Sequence, residues 1–203
     1  IVITARRHAE DVADVPAAVV AFSGAQLEER NIIQQSDLQL AVPGLTVRQT
    51  ESSNYINYVI RGQTVDNFSG SPTAVVPYTN EVQFAPGGQS SFFDLESVQV
   101  LKGPQGTLFG RNATGGAVLA TTARPTNELS ASFEGALGNF NYGDLRGVIN
   151  VPIVDDKVLL RGAFDIGAAR DRRRGAGQRM PGHAVVVAQR QGELVVPQRQ
   201  RLA

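Results

Sequence analysis

The chain has 203 residues, in which 19 Lys and Arg are offset by 19 Asp and Glu, with no cysteine, no tryptophan and one methionine. This length allows one sizeable core, or one domain and part of another. Missing cysteine excludes a disulfide framework, a thiolate nucleophile and cysteine-ligated zinc, while His8 and His183 are too far apart in sequence to suggest a structural zinc site.

In chain order, Ile1 opens the sequence with no initiator methionine and no leader pattern, so any targeting peptide is expected to lie outside these residues. Ile1, Val2, Ile3, Thr4 and Ala5 form a short β-prone arm, followed by a polar run to Asp14. Ala17 to Phe22 reads as a strand. Ser23-Gly24-Ala25-Gln26 is a capping box, with Phe22 and Leu27 at the positions of a hydrophobic staple. Ser36-Asp37-Leu38-Gln39 reads as a second box, opening a helix that Pro43-Gly44 ends. Short strands follow at Leu45 to Gln49, Tyr58 to Arg61 and Ala74 to Thr79, and Pro77 marks the third as an edge or a bulge. The Gly/Asn/Ser-rich segments between them, Glu51 to Asn57 and Gly62 to Pro72, read as loops of the kind that carry binding surfaces. Val98 to Leu101 is apolar enough for a buried strand, Gly103-Pro104 turns the chain, and Ala117 to Thr122 is a further strand before Pro125.

From Glu128 the pattern becomes strict alternation. Leu129, Ala131, Phe133, Gly135 and Leu137 share one face of a strand. Leu145, Gly147, Ile149, Val151 and Ile153 share one face of the next, and after a turn at Asp155-Asp156 so do Val158, Leu160, Gly162, Phe164 and Ile166. The pattern fits a membrane-barrel meander and half of a soluble antiparallel sheet equally. No run of about 18 apolar residues occurs, which argues against a spanning helix but not against a barrel, whose strands alternate. Charge and aromatics then change together: residues 1–169 carry a balance of −6 and residues 170–203 one of +6, and all 13 aromatic residues lie at or before Phe164. The tail, with Arg172-Arg173-Arg174 and repeated Gln-Arg pairs, is therefore expected to be disordered or an aberrant reading of a longer gene. It lacks the aromatic interleaving of a nucleic-acid module.

The segment from Phe93 through Lys102-Gly103-Pro104-Gln105-Gly106 and Gly110-Arg111 to Gly115-Gly116-Ala117 resembles the signature that ends the plug domain of TonB-dependent outer-membrane receptors. Supporting likenesses occur in order: Ile1 to Ala5 looks like a TonB box, Asp37-Leu38 to Pro43-Gly44-Leu45-Thr46-Val47 like the plug's early helix-to-strand turn, and Ile60-Arg61-Gly62 like its central strand end. On its residues alone the signature is a structural loop, since its five glycines permit tight turns and close backbone approach. A nucleotide cradle is excluded because Lys102 precedes the loop and the phosphate-binding spacing is absent.

The resemblance implies an α+β fold: a plug of mixed β-sheet with short helices, then the first antiparallel strands of an incomplete transmembrane β-barrel. The expected divisions are a TonB-box-like arm at 1–5, the plug at 6–125, barrel strands at 126–169 and a basic tail at 170–203. It implies the bacterial outer membrane as location, the inner-membrane energy transducer TonB as partner, a scarce ligand (first a ferric siderophore, otherwise cobalamin, haem, a nickel chelate or a saccharide), and neither cofactor, nucleic acid nor enzymatic reaction. In such a plug Arg61 is expected to pair with wall carboxylates, and Tyr55, Asn57, Tyr58, Asn67, Phe68 and Ser69 are the loop candidates for ligand contact.

Ser97 and Gln99 stand where the family usually has Arg and Glu, Lys102 where it has Arg, Asn80-Glu81 where it has Asp-Gly, and Leu119 where Asn is typical. These departures put the plug-to-barrel ion pairs and the coupling step in question. A plugged barrel needs about 22 strands of roughly ten residues, so these residues are not expected to form a pore alone. The alternative from another class is a soluble periplasmic binding module with a plug-like fold and no barrel.

Overall fold

The computed structural model describes residues 2–3, 10–11, 18–49, 56–64, 73–83, 92–138, 142–169, 178–179, 183–190, 193–195 and 200–201. The chain divides into two compact units, residues 1–123 and 124–203. Among the described residues no helix is long and apolar enough to cross a membrane, which says nothing about strands.

The N-terminal unit opens with β1 (Val2–Ile3) and β2 (Glu10–Asp11), which pair antiparallel with Val2 opposite Asp11. Two residues of the β-prone arm are thus paired in a strand. Strand β3 (Ala18–Ser23) leads into helix α1 (Gly24–Glu29) through the predicted capping box: Ser23 Oγ accepts the Gln26 N–H at 3.3 Å and Gln26 Oε1 accepts the Ser23 N–H at 3.1 Å. Phe22 and Leu27 are both buried, and the Arg30 guanidinium lies over the Phe22 ring.

The second predicted box is corrected. The helix begins a turn early as a 3-10 segment, Gln35–Asp37, and continues as α2 (Leu38–Ala41). Asp37, not Ser36, is its capping side chain: the carboxylate reaches back to accept the N–H groups of Ile33 and Gln34 at 3.0 and 2.8 Å. Gln39 instead accepts the Val47 N–H at 3.4 Å. A single carboxylate oxygen, Oδ2, accepts both bonds, so one side chain satisfies two amides just ahead of the helical turn.

Strands β4 (Leu45–Gln49) and β5 (Ile56–Ile60) form an antiparallel hairpin. Strands β6 (Val75–Thr79), β7 (Val82–Gln83), β8 (Leu95–Lys102) and β9 (Gly116–Thr122) complete a five-stranded sheet ordered β3-β8-β9-β6-β7, in which only β6 and β9 run parallel. One face packs Phe22, Val98, Val100, Val75 and Val118 against Leu27, Leu38, Val42, Tyr58 and Ile60; the other packs Val76, Tyr78, Leu101, Ala117 and Leu119 with Phe109. Each large aliphatic side chain buried here contributes about 1.5–3 kcal/mol. Pro77 falls where the sequence places it: β7 reaches only Tyr78 and Thr79, so the ladder outside Pro77 is open among the described residues.

The C-terminal unit is a meander of β10 (Ser130–Gly138), β11 (Tyr142–Val154) and β12 (Val158–Ala169). Its register sorts the faces as alternation predicts. Phe133, Gly147 and Phe164 lie abreast on one face, and Glu134, Arg146 and Asp165 abreast on the other. A Cβ on Gly147 would stand 2.5 Å from the Phe164 ring and 2.9 Å from that of Phe133, and across this dent the two rings lie 6.3 Å apart. On the apolar face Leu129, Phe133, Leu137, Leu145, Ile149, Ile153 and Ile166 all stay exposed. On the other, Arg146 Nε pairs with Asp144 at 2.9 Å and lies 3.7 Å from Asp165.

Short strands are also described within residues 178–201. Strands β13 (Gln178–Arg179) and β14 (His183–Arg190) add antiparallel to β12, and β15 (Glu193–Val195) and β16 (Gln200–Arg201) pair with β14. The β-branched run Val185 to Val187 suits a strand, and the outer edge of β12 supplies a ladder of backbone groups that require partners.

The two-residue turn between β6 and β7 holds both Asn80 and Glu81 at positive φ, 48° and 66°. Asn tolerates this, and its side chain accepts the Thr122 N–H and donates to Thr122 Oγ1, both at 3.0 Å. Among the described residues Glu81 makes no such bond to offset the strain of a left-handed residue. Glu81→Gly is expected to raise the unfolding free energy of the N-terminal unit by about 1 kcal/mol, read as a higher urea midpoint at unchanged slope.

Candidate functional site

The glycine-rich signature is a folded connection from β8 to β9. Gly103, at φ 107°, turns the chain out of β8; α3 (Gly106–Phe109) follows, and Gly110, at φ 84°, turns it back. Backbone bonds close the loop, with the Gly103 N–H donating to Gly115 O at 3.0 Å and the Gln105 N–H to Ala113 O at 2.8 Å. Tyr78 fastens it to the sheet by donating its hydroxyl to Phe109 O at 2.6 Å, its ring 5.2 Å from that of Phe109. Gly103, Gly115 and Gly116 are buried, whereas Pro104, Gly106, Gly110 and Arg111 are exposed. Gly116 has no room for a side chain: at φ 148° a Cβ would meet Leu101 O at 2.2 Å and Ile60 Cδ1 at 2.9 Å.

Three stretches singled out separately in the sequence meet at one corner of this unit. Lys102 Nζ donates to Pro43 O at 2.8 Å. The Arg61 N–H donates to Gly44 O at 3.0 Å. A Cβ built on Gly103 would lie 3.8 Å from Arg61 Nη1, so the guanidinium covers the glycine that opens the signature loop. Arg61 and Gly62 form the tight turn after β5, at φ 51° and 78°, and both are exposed. The corner carries two cations, one spent on a carbonyl and one directed past a glycine.

The candidate ligand contacts divide differently from expectation. Asn57 is not in the loop but in strand β5 with Tyr58, and the two are 5% and 3% exposed. Asn57 Nδ2 donates to Thr64 Oγ1 at 3.3 Å, and the Tyr58 hydroxyl donates to Gln35 Oε1. The β5 run Ile-Asn-Tyr-Val-Ile is buried at every position, polar and apolar alike, whereas its partner β4 alternates, with Leu45 and Val47 buried and Thr46 and Arg48 exposed. Tyr55, Asn67, Phe68 and Ser69 lie outside the described residues, as do Ile1, Thr4 and Ala5 of the arm.

The departures from the family pattern fit their surroundings. Gln99 is 1% exposed in β8 and shares a 3.5 Å contact from Nε2 to Ser97 Oγ. Leu119 packs with Tyr78 and Phe109. Among the described residues no group of three His, Cys, Asp or Glu side chains could hold a metal ion. Sequence reasoning missed α3 and the anchoring role of Tyr78; the aromatic residue just after Pro77 was the only signal.

Residues 11–117 match the model of the TonB-dependent Receptor Plug Domain. The pesticin receptor of Yersinia pestis is 25% identical over 158 residues, covering 76% of this chain and 23% of that protein. The vitamin B12 transporter BtuB of Vibrio vulnificus is 30% identical over 144 residues, covering 67% of this chain and again 23% of the relative. Among solved structures, the ferric yersiniabactin uptake receptor FyuA from Yersinia pestis superposes with a TM-score of 0.64 at 22% identity, over 85% of this chain and 28% of that one. The chain thus spans about a quarter of the length of the relatives it matches.

Burial pushes the Tyr58 phenol above its ordinary value. The folded state then holds the phenolic proton more tightly than the unfolded chain, so this stabilisation is intact below the unfolded pKa of about 10 and is lost as pH rises beyond it. Chemical unfolding is expected to show a fall in stability above about pH 10, and Tyr58→Phe is expected to flatten that fall while costing about 1 kcal/mol near neutrality through the lost bond to Gln35.

Proposed function

As this chain belongs to the TonB-dependent receptor plug domain family, we propose that it is the gate and the first wall strands of an outer-membrane uptake receptor. The observation that carries the reading is the uncovered apolar stripe of the C-terminal unit, from Leu129, Phe133 and Leu137 across Leu145, Ile149 and Ile153 to Ile166. In water such a stripe costs about 25 cal/mol for each Å² left exposed, whereas in hydrocarbon it is at home, with the Asp144, Arg146 and Asp165 face turned to an aqueous lumen. A soluble module without a barrel would leave the same stripe in water. The outer edge of β10 is unpaired among the described residues, so a membrane setting also calls for further strands beyond those described.

In this reading the N-terminal unit blocks the lumen and faces the periplasm. The residues from Ile1 to Ala5 are gripped by TonB as an added strand, since a β-branched extended arm offers directional backbone bonds. The cargo is a scarce chelate. A ferric siderophore is the first candidate because the structural relative takes up ferric yersiniabactin, and the vitamin B12 relative makes cobalamin the comparison. Arg61 and Arg111 are exposed cations available to a carboxylate of the wall or of the cargo.

The test is titration of the chain with the isolated periplasmic domain of TonB. Ile3→Pro, which removes a backbone donor and fixes φ, is expected to weaken binding at least tenfold with the circular dichroism unchanged; undiminished binding would remove the arm from the mechanism. In parallel, tyrosine emission is expected to be quenched by a ferric siderophore and left unchanged by cobalamin or a saccharide. The opposite order would reassign the cargo.

A further inference from the structure

The segment just before β10 is fastened more firmly than an ordinary connection. Asn150 of β11 is fully buried, and its carboxamide treats that segment as a short strand. Oδ1 accepts the Thr126 N–H at 3.0 Å, while Nδ2 donates to Thr126 O at 2.9 Å, Thr126 Oγ1 at 3.1 Å and Glu128 O at 2.5 Å. Asn127, between those two residues, points the other way. Its Oδ1 accepts the Asp156 N–H at 3.0 Å, and its Nδ2 donates to the Asp156 carboxylate in the turn between β11 and β12. Pro125, immediately before, is buried.

The position of this clasp matters. Ser130 opposite Asn150 is the first rung of the β10–β11 ladder. An antiparallel pair pulled from one end opens one rung at a time, so each step resists with only one or two hydrogen bonds. Tension entering β10 from its N-terminal side would begin at that rung, and the residue of β11 that forms the rung is the one whose side chain also holds residues 126 and 128. Asn127 ties the same segment to a second point, so the first step must break both attachments together.

We propose that Asn150, with Asn127, is a tension stop: it halts force drawn through the N-terminal unit at residue 126 and keeps β10 in the sheet while the preceding chain is extended. The proposal rests on the reading that residues 1–5 are pulled by an energy-transducing partner. Asn150 is a positioning residue in this scheme and touches neither partner nor cargo.

Because the chain has no cysteine, Arg6→Cys and Ile166→Cys give two unique handles for single-molecule pulling of the full chain in detergent or bilayer. The expected trace is extension of the N-terminal unit, then a halt, with residues 126–138 released only in a separate event at higher force. Asn150→Ala is expected to lower the force of that last event at least twofold, and Asn150→Asp, which keeps the acceptor but loses the donations, to fall between. Asn127→Ala leaves β11 untouched and is expected to lower the force by a smaller factor, so the proposal stays testable if Asn150→Ala fails to fold. A release force for residues 126–138 unchanged in Asn127→Ala and Asn150→Asp, with only the melting temperature lowered, would overturn the stop and leave the clasp as loop ordering. The pulling needs no partner, so failure of TonB binding in the titration above is distinguishable from failure here.

Discussion

Strand β8 has to be satisfied on four sides at once, and most of the N-terminal unit follows from that requirement. Its two edges are taken by β3 and β9. Val98 and Val100 face one cluster of the core, and Leu101 faces the other. Neighbours can come close enough only where they lack a side chain: a Cβ on Gly24 would stand 2.3 Å from Leu95 O, and one on Gly116 2.2 Å from Leu101 O. A glycine therefore sits against a carbonyl near each end of the strand. What looks in the sequence like a loop motif is in part the condition for packing a strand whose stretch from Val98 to Leu101 is buried throughout, and replacement of either glycine would force backbone apart.

The two units dispose of apolar surface in opposite directions. In the N-terminal unit the sheet is covered on both faces, and even the polar residues of β5 are drawn inside. In the C-terminal unit the same two-residue period leaves leucine, isoleucine and phenylalanine outside and gathers Glu134, Asp144, Arg146 and Asp165 on the other face. The period alone could not decide which face meets water; a contiguous apolar surface of this size suits contact with something other than water, as the proposed function requires.

Local chemistry was legible in the sequence, and distant partnership was not. The box at Ser23 and Gln26 was readable because both partners lie within one turn, and the meander after Glu128 because its period persists through three strands. The second box failed because Asp37 reached two amides before Ser36 could reach one. Asn57 reads as a loop residue because polar character suggests exposure, and Tyr58 as a strand end open to ligand; their partners Thr64 and Gln35 are connected to them by no local rule. In β14 the run Val185 to Val187 carries a strand signal amid the basic run and Gln-Arg pairs on either side of it. The meeting of Pro43, Arg61 and Lys102 arises from the tertiary fold alone. Each was conspicuous in its own motif, but nothing in their spacing says that they share a corner.

The dent at Gly147 bears on how such a sheet comes to be assembled. Phe133 and Phe164 lean across the glycine from both neighbouring strands. A slip of one residue would set Phe133 opposite Arg146 or Val148 and turn the whole strand inside out. A slip of two would set it opposite Leu145 or Ile149, where a side chain fills the dent. The two rings and the gap thus act as a key cut for a single alignment, and three strands can find their order before any closed wall exists to enforce it.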